Sequence, residues 1–283
     1  MKKNWLFILA FSFSILAAKA QDPATRIKNN AIKIDRPETL NRQVYNALSG
    51  YRVIMAGEMH GTNEPAKLIT GLARLMTGMG DSVMVGMEIP VGQMTQYLNN
   101  PADSTVSSSD FFTQASTDGR ASHAWAEVIS SLTGNPAVRI FFFDVNSGEC
   151  KNPADRDSLM YLKIREKIAE HPSWKTITLS GNIHNMLMPY KGKNKVACYL
   201  NNDPELSLKG MICSLNHYYQ KGGMLNNTGS GLALHEVNNP PSEYTDAVDY
   251  DNYLLLFPAG TADRYSGIFF TRTVTAARMV NSH

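Results

Sequence analysis

Apolar residues fall in short unbroken runs, separated by stretches in which they recur every three or four positions. Residues 51–56 (Tyr-Arg-Val-Ile-Met-Ala) and 83–87 (Val-Met-Val-Gly-Met) predict buried strands. Between them, Leu68, Leu72, Leu75, Met76 and Met79 keep helical spacing over 64–79, with Pro65 in the first turn and Gly78 and Gly80 at the close. Strand, helix and strand in that order form a βαβ unit, whose strands are parallel and whose crossover is right-handed. The alternation continues through a helix at 125–132, a strand at 138–143 and an amphipathic helix at 155–170 that His171-Pro172 ends. Strands follow at 176–179 and 195–199, and short ones at 253–257 and 268–270 finish the chain. Residues 21–45 predict a polar lead-in with one helix, and 226–250, rich in Asn, Gly, Pro and acids, predicts long loops. The expected fold is α/β, a mainly parallel central sheet flanked by helices. Polar residues 92–123 interrupt the alternation and predict an insertion over the carboxyl edge of the strands, as a lid or substrate cap.

The first residues change the expected location. Lys2 and Lys3 precede an apolar run from Trp5 to Ala18, and Ala18-Lys19-Ala20 offers the small residues a signal peptidase selects. Residues 1–20 thus read as a cleavable secretory signal, leaving residues 21–283 as one secreted or periplasmic domain that starts at Gln21. The apolar run is short for a membrane span, and no cysteine follows it to carry a lipid. Residues 1–20 hold three lysines and no acid, so cleavage takes the formal charge from +2 to −1. A chain that near neutrality predicts neither nucleic acid nor an anionic membrane as partner, and no stable membrane span after cleavage. The expected partner is a small-molecule or peptide substrate. Cys150, Cys198 and Cys213 are too few for a disulfide scaffold; Cys198 and Cys213, both in strand-like segments, either pair or remain buried thiols.

Ligands of open parallel sheets bind beyond the carboxyl ends of the strands. There the sequence places Gly57-Glu58-Met59-His60-Gly61-Thr62-Asn63-Glu64, then Glu88, then Asp144, then Gly181-Asn182-Ile183-His184-Asn185. Four consecutive strand ends therefore deliver two histidines and several carboxylates to one rim. Carboxylates beside imidazoles shift one another's proton affinity into the range where acid–base chemistry works. Each residue also has a structural role open to it: Glu64 as a helix-start acid, Asp144 as a turn cap, His184 as a satisfied histidine. Glu58, His60, Glu88 and His184 are the candidate catalytic set. Arg120, from Asp118-Gly119-Arg120, stands with Glu64 and Asn185 as a candidate substrate contact, and Arg156-Asp157 opens the long helix. Three chemistries remain open: hydrolysis with His60 as general base, hydrolysis assisted by a divalent ion on His60, Glu88 and His184, or haem or metal binding without turnover. No Gly-x-Ser-x-Gly elbow, phosphate loop or dinucleotide fingerprint occurs in the sequence.

The 57–64 motif resembles that of the erythromycin-esterase-like proteins, whose superfamily includes the ChaN haem-binding and Tiki/TraB groups. Glu88, Arg156-Asp157 and the 181–185 motif follow in matching order, so the resemblance covers residues 51 to about 190. It implies an α/β fold with the Glu/His cluster as its site. By the esterase branch, His60 activates water, Glu58 and Glu88 orient it, and His184 assists. The Tiki branch implies a metal held by similar residues, and the ChaN branch implies haem. The chain is shorter than the macrolide esterases, and its region after residue 200 has no counterpart in the resemblance. The expected function is that of an exported hydrolase of an ester, lactone or amide bond, with haem or metal binding as the alternative.

Overall fold

The structure, a computed structural model, describes residues 22–114, 118–258 and 263–281. The expected signal segment, residues 1–20, lies outside the described residues. Strands are β1 (Ile32–Ile34), β2 (Val53–Glu58), β3 (Val83–Pro90), β4 (Val138–Asp144), β5 (Lys175–Gly181), β6 (Ile212–Asn227), β7 (Leu232–Asn238), β8 (Asn252–Leu256) and β9 (Gly267–Val274). They form one sheet in the order β1-β8-β9-β6-β2-β5-β3-β4, with β7 paired to the distal half of β6. All pairings from β9 to β4 are parallel; β1–β8, β8–β9 and β6–β7 are antiparallel. The α/β expectation thus holds.

Period-2 alternation divides the central strands between two cores. Ile54 and Ala56 of β2, with Val83, Val85, Met87 and Ile89 of β3, face one side. There they meet chiefly the helices Glu64–Gly78 and His123–Leu132. Val53, Met55, Met84, Phe141 and Phe143 face the other side and pack on Met160, Ile164 and Ile168 of the helix Arg156–Glu170. Strands buried on both faces read as unbroken apolar runs, which is why β2 and β3 were visible in the sequence.

Several expectations need correcting. Residues 195–199 are not a strand: Val196–Asn201 is a helix, packing Val196, Ala197 and Leu200 into the second core. Cys198 is therefore helical, and all three cysteines are free thiols. Residues 226–250 are less loop than expected, since the end of β6 and all of β7 form a hairpin there. The lead-in carries two helices, Pro23–Asn30 and Arg42–Leu48, with β1 between them. The 92–123 insertion has several short helices, and it buries Phe111, Phe112 and Ala121 in the first core. Among the described residues no helix is long and apolar enough to cross a membrane.

Candidate functional site

The sheet order explains why distant motifs meet. β2, β5, β3 and β4 are neighbours and all parallel, so their carboxyl ends lie in one row. Glu58 ends β2, Gly181 ends β5, and Asp144 ends β4. In β3, Met87 pairs with Phe142 but Pro90 with Asp144, so one extra residue is accommodated around Glu88 and Ile89. Such an irregularity locally bends a strand and re-aims its side chains.

His60 and Glu58 form the first unit. His60 Nδ1 lies 2.5 Å from Glu58 Oε1, and Glu58 Oε2 accepts from Trp125 Nε1 at 3.0 Å. Glu58 has no exposed side-chain surface, whereas the His60 ring is 22% exposed. A carboxylate that is ionised has no proton to give, so Nδ1–H donates and Nε2 carries the lone pair. Nε2 has no hydrogen-bond partner among the described residues. It stands close to Gly181, whose absent Cβ would lie 3.1 Å from Nε2 and 3.6 Å from His184 Cδ2. The two imidazoles thus flank the same glycine. Burial works against a charged His60, but the bond to Glu58 and the fields of Glu58 and Glu88 outweigh it, and its proton affinity is raised.

Glu88 joins the rest. It is fully buried, with Oε2 accepting from the Gly181 amide at 2.7 Å and Oε1 from Arg156 Nη2 at 2.5 Å. Arg120 Nη1 lies 3.2 Å from the same carboxylate and donates to the Glu88 carbonyl at 2.7 Å. Asp144 receives Arg156 through Nε at 2.9 Å and Nη2 at 2.7 Å, and Arg120 at 3.2 Å. It also accepts from the Val145 amide at 2.8 Å, so it is a turn cap and a site residue at once. Burial would raise the Glu88 carboxyl; His184, Arg120, His60 and Arg156 outweigh it and hold the group well below the usual carboxylate range. A buried carboxylate without such partners would be expensive.

His184 is bound at both nitrogens. Nδ1 lies 2.7 Å from Asp157 Oδ1, and Nε2 lies 3.0 Å from Arg156 Nη1. A guanidinium only donates, so Nε2 accepts and Nδ1 carries the proton shared with Asp157. Lys195 Nζ reaches the other Asp157 oxygen at 2.9 Å. His184 therefore grips Arg156 and offers no free base. Asp157, which doubles as a first-turn acid of its helix, and Lys195, which the sequence placed in a strand, are both parts of this network.

Two loops bring His60 and Arg120 to the row, and both lean on the distal end of β6. Gly61 and Gly119 have φ values of +85° and +83°, and a Cβ on either would fall about 2 Å from the Leu225 carbonyl oxygen. Leu225 N donates to Gly61 O at 3.0 Å, and Asn226 Nδ2 donates to His60 O at 3.0 Å. Residues 275–280 tie the same loops from the other side. Ala277 N bonds Gly61 O, Asn63 N bonds Thr275 O, His123 N bonds Arg278 O and Val280 N bonds Ala121 O.

Two candidate contacts lie apart from this cluster. Glu64 accepts from Thr275 N at 3.0 Å and Thr275 Oγ1 at 2.6 Å, anchoring that segment. Asn185 is fully buried and accepts from Ser180 Oγ at 2.8 Å. Trp125 was invisible as a site residue: only the need of a buried indole N–H for an acceptor hints at its role.

The donor set fits a resident divalent ion poorly. Glu88 and His184 are the ligands His60 would need, and both have their lone pairs on Arg156, Arg120 or the Gly181 amide. Among the described residues no group of three or more His, Cys, Asp or Glu is arranged to hold a metal. Two guanidinium cations already neutralise the place where an ion would sit.

No family model matches the sequence, and no curated protein does either. Solved structures do share the fold. A Bacillus cereus protein superposes with a TM-score of 0.66 at 10% identity, over 92% of this chain and 98% of that one. A succinoglycan biosynthesis protein gives 0.67 at 10% identity, over 91% and 98%. A mutant of erythromycin esterase EreC in its open conformation gives 0.57 at 11% identity, over 87% and 97%. By its fold, then, the chain stands with the erythromycin esterase EreC and these two proteins.

Proposed function

We propose that this chain is an exported hydrolase of an ester, lactone or amide bond, with His60 as the general base. One observation carries the reading. In a cluster whose carboxylates are sealed and whose other imidazole is bound at both nitrogens, His60 presents an unpartnered Nε2 on a partly exposed ring that Glu58 holds at 2.5 Å. Nε2 takes a proton from water as that water attacks the carbonyl carbon, and Glu58 stabilises the imidazolium that forms. The proton then passes to the leaving oxygen or nitrogen. Arg156 is 30% exposed, and of the two Nη1 protons one goes to His184. The other is free to meet the oxyanion that develops on the substrate. Glu88 and Asp144 position both arginines, and His184 positions Arg156.

Hydrolysis of a panel of ester, lactone and amide substrates by the mature chain is the test. His60→Ala is expected to abolish turnover while the fold survives; retained turnover removes His60 from the mechanism. Elemental analysis and absorbance of the purified protein address the alternatives: a stoichiometric divalent ion or a haem band, lost in His60→Ala, replaces the metal-free reading. Export is part of the proposal, and amino-terminal sequencing of the secreted form is expected to begin at Gln21.

A further inference from the structure

The segment after His184 carries a feature the mechanism does not use. It runs from His184 out to a tight turn and returns through Lys195 to Asp157, the same carboxylate that holds His184. The turn is a two-residue hairpin: Tyr190 and Lys193 exchange both backbone hydrogen bonds, at 2.9 and 3.1 Å, around Lys191 and Gly192. Those central residues have φ values of +50° and +74°. A turn of this kind favours Asn-Gly, because Asn adopts the left-handed conformation more readily than lysine does. The backbone therefore accepts strain to put an ammonium at this position.

A second cation sits with it. Lys191 Nζ lies 5.4 Å from the centroid of the Tyr190 ring, and Arg264 Cζ lies 5.7 Å from the same centroid. Lys193 is exposed two residues on. Asp263, next in sequence to Arg264, makes no ion pair with any of them among the described residues. Two cations on one ring repel each other, and a ring quadrupole compensates only part of that repulsion. An anion bound beside these cations lowers their repulsion.

Position ties this cluster to the site. Leu187 N bonds Arg264 O at 2.8 Å, and the Tyr265 hydroxyl donates to Asn182 O at 3.1 Å, in the turn that carries His184. Tyr190 lies six positions after His184, a reach of roughly 20 Å at full extension. On either side of His184, Ile183 and Met188 are 46% and 45% exposed, large apolar side chains left in water. We propose that Lys191, Lys193 and Arg264 hold an anionic group of the substrate, a carboxylate, sulfate or phosphate, while Ile183 and Met188 receive its apolar portion on the way to His60. The substrate role rests on the hydrolase reading above; the binding of an anion at the turn does not.

The test is titration of the isotopically labelled mature chain with n-octyl phosphate and with inorganic phosphate, read from backbone amide shifts. Shifts that saturate at residues 190–193 and 264, with tighter binding of the octyl ester, are expected. Lys191→Asn, which suits the turn better, combined with Arg264→Gln is expected to weaken binding at least tenfold while leaving the rest of the spectrum unchanged. His60→Ala is expected to bind as the parent does. Absence of shifts at the turn, or equal binding by the double variant, overturns the proposal. Phosphatidylglycerol vesicles that sediment the parent but not the double variant, with octyl phosphate inert, would make the anion a lipid headgroup and overturn the substrate assignment. If octyl phosphate binds at the turn but no ester, lactone or amide is cleaved, the hydrolase reading falls while the anion site stands.

Discussion

At the scale of single residues, the Glu58–His60 pair decides how the site responds to pH. Because Glu58 and Glu88 raise the proton affinity of His60 above its ordinary value, the neutral form needed as a base is filled only above that raised midpoint. Hydrolysis is expected to fall as pH drops, along a limb centred above the ordinary imidazole pKa of about 6.5. Glu58→Gln removes the charge that does the raising, so the midpoint should move to lower pH even as the maximal rate drops. Imidazole NMR titration of His60 in both proteins checks the direction, and an unmoved midpoint would detach Glu58 from His60. His60, Glu58, Glu88 and His184 were all readable as candidates because each follows an apolar strand. Their division of labour was not readable. Nothing local to Gly181-Asn182-Ile183-His184 shows that Arg156 and Asp157 occupy both ring nitrogens.

At the scale of elements, packing rather than propensity accounts for what the sequence concealed. β2, β3, β4 and β5 lie inside a two-sided core and so advertise themselves as apolar runs. β6 runs for 16 residues, and beyond Leu215 it carries Asn, Gln, Lys and two glycines on half-exposed faces. Its hydrogen bonds to β9 and β7 hold it extended, and at Asn226 and Asn227 this extends into the stretch whose composition predicts loop. Val196–Asn201 shows the converse: a short apolar stretch fits a strand or a buried helix equally, and only the cavity it fills decides. The distal half of β6 braces the loops of His60 and Arg120 through Leu225. Gly119→Ala places a side chain on a left-handed backbone against a carbonyl, and a loss of at least ~2 kcal/mol is expected from the strained conformation and the clash. Urea denaturation measures it, and an unchanged midpoint would show that the loops do not need this contact.

At the scale of the whole molecule, Glu88 is the joint. One buried carboxylate touches the end of β5 through the Gly181 amide, the insertion through Arg120 and the long helix through Arg156. Removing its charge leaves two arginines short of a partner. Glu88→Gln is expected to cost roughly 3 kcal/mol, the lower part of the range for breaking a buried pair, since Asp144 and Asp118 remain. Glu88 is held below the ordinary carboxylate range, so its share of the stability is present above the unfolded-state pKa and disappears only as pH falls through the lower folded value. The variant's deficit should therefore be full at neutral pH and shrink in strong acid. Thermal unfolding across pH checks the trend; a deficit that grows in acid would contradict it.

The stitching of residues 275–280 onto the loops of His60 and Arg120 bears on the order of events in a cell. Asn63 and Glu64 meet partners that lie 211 to 213 positions further along the chain. A polypeptide emerging from its amino end can pair β2, β5, β3 and β4 long before those partners exist. The loops that carry His60 and Arg120 lack these hydrogen bonds until Thr275 and its neighbours arrive. On the hydrolase reading, a chain cut short of Thr275 is expected to form its central strands yet hold His60 less firmly.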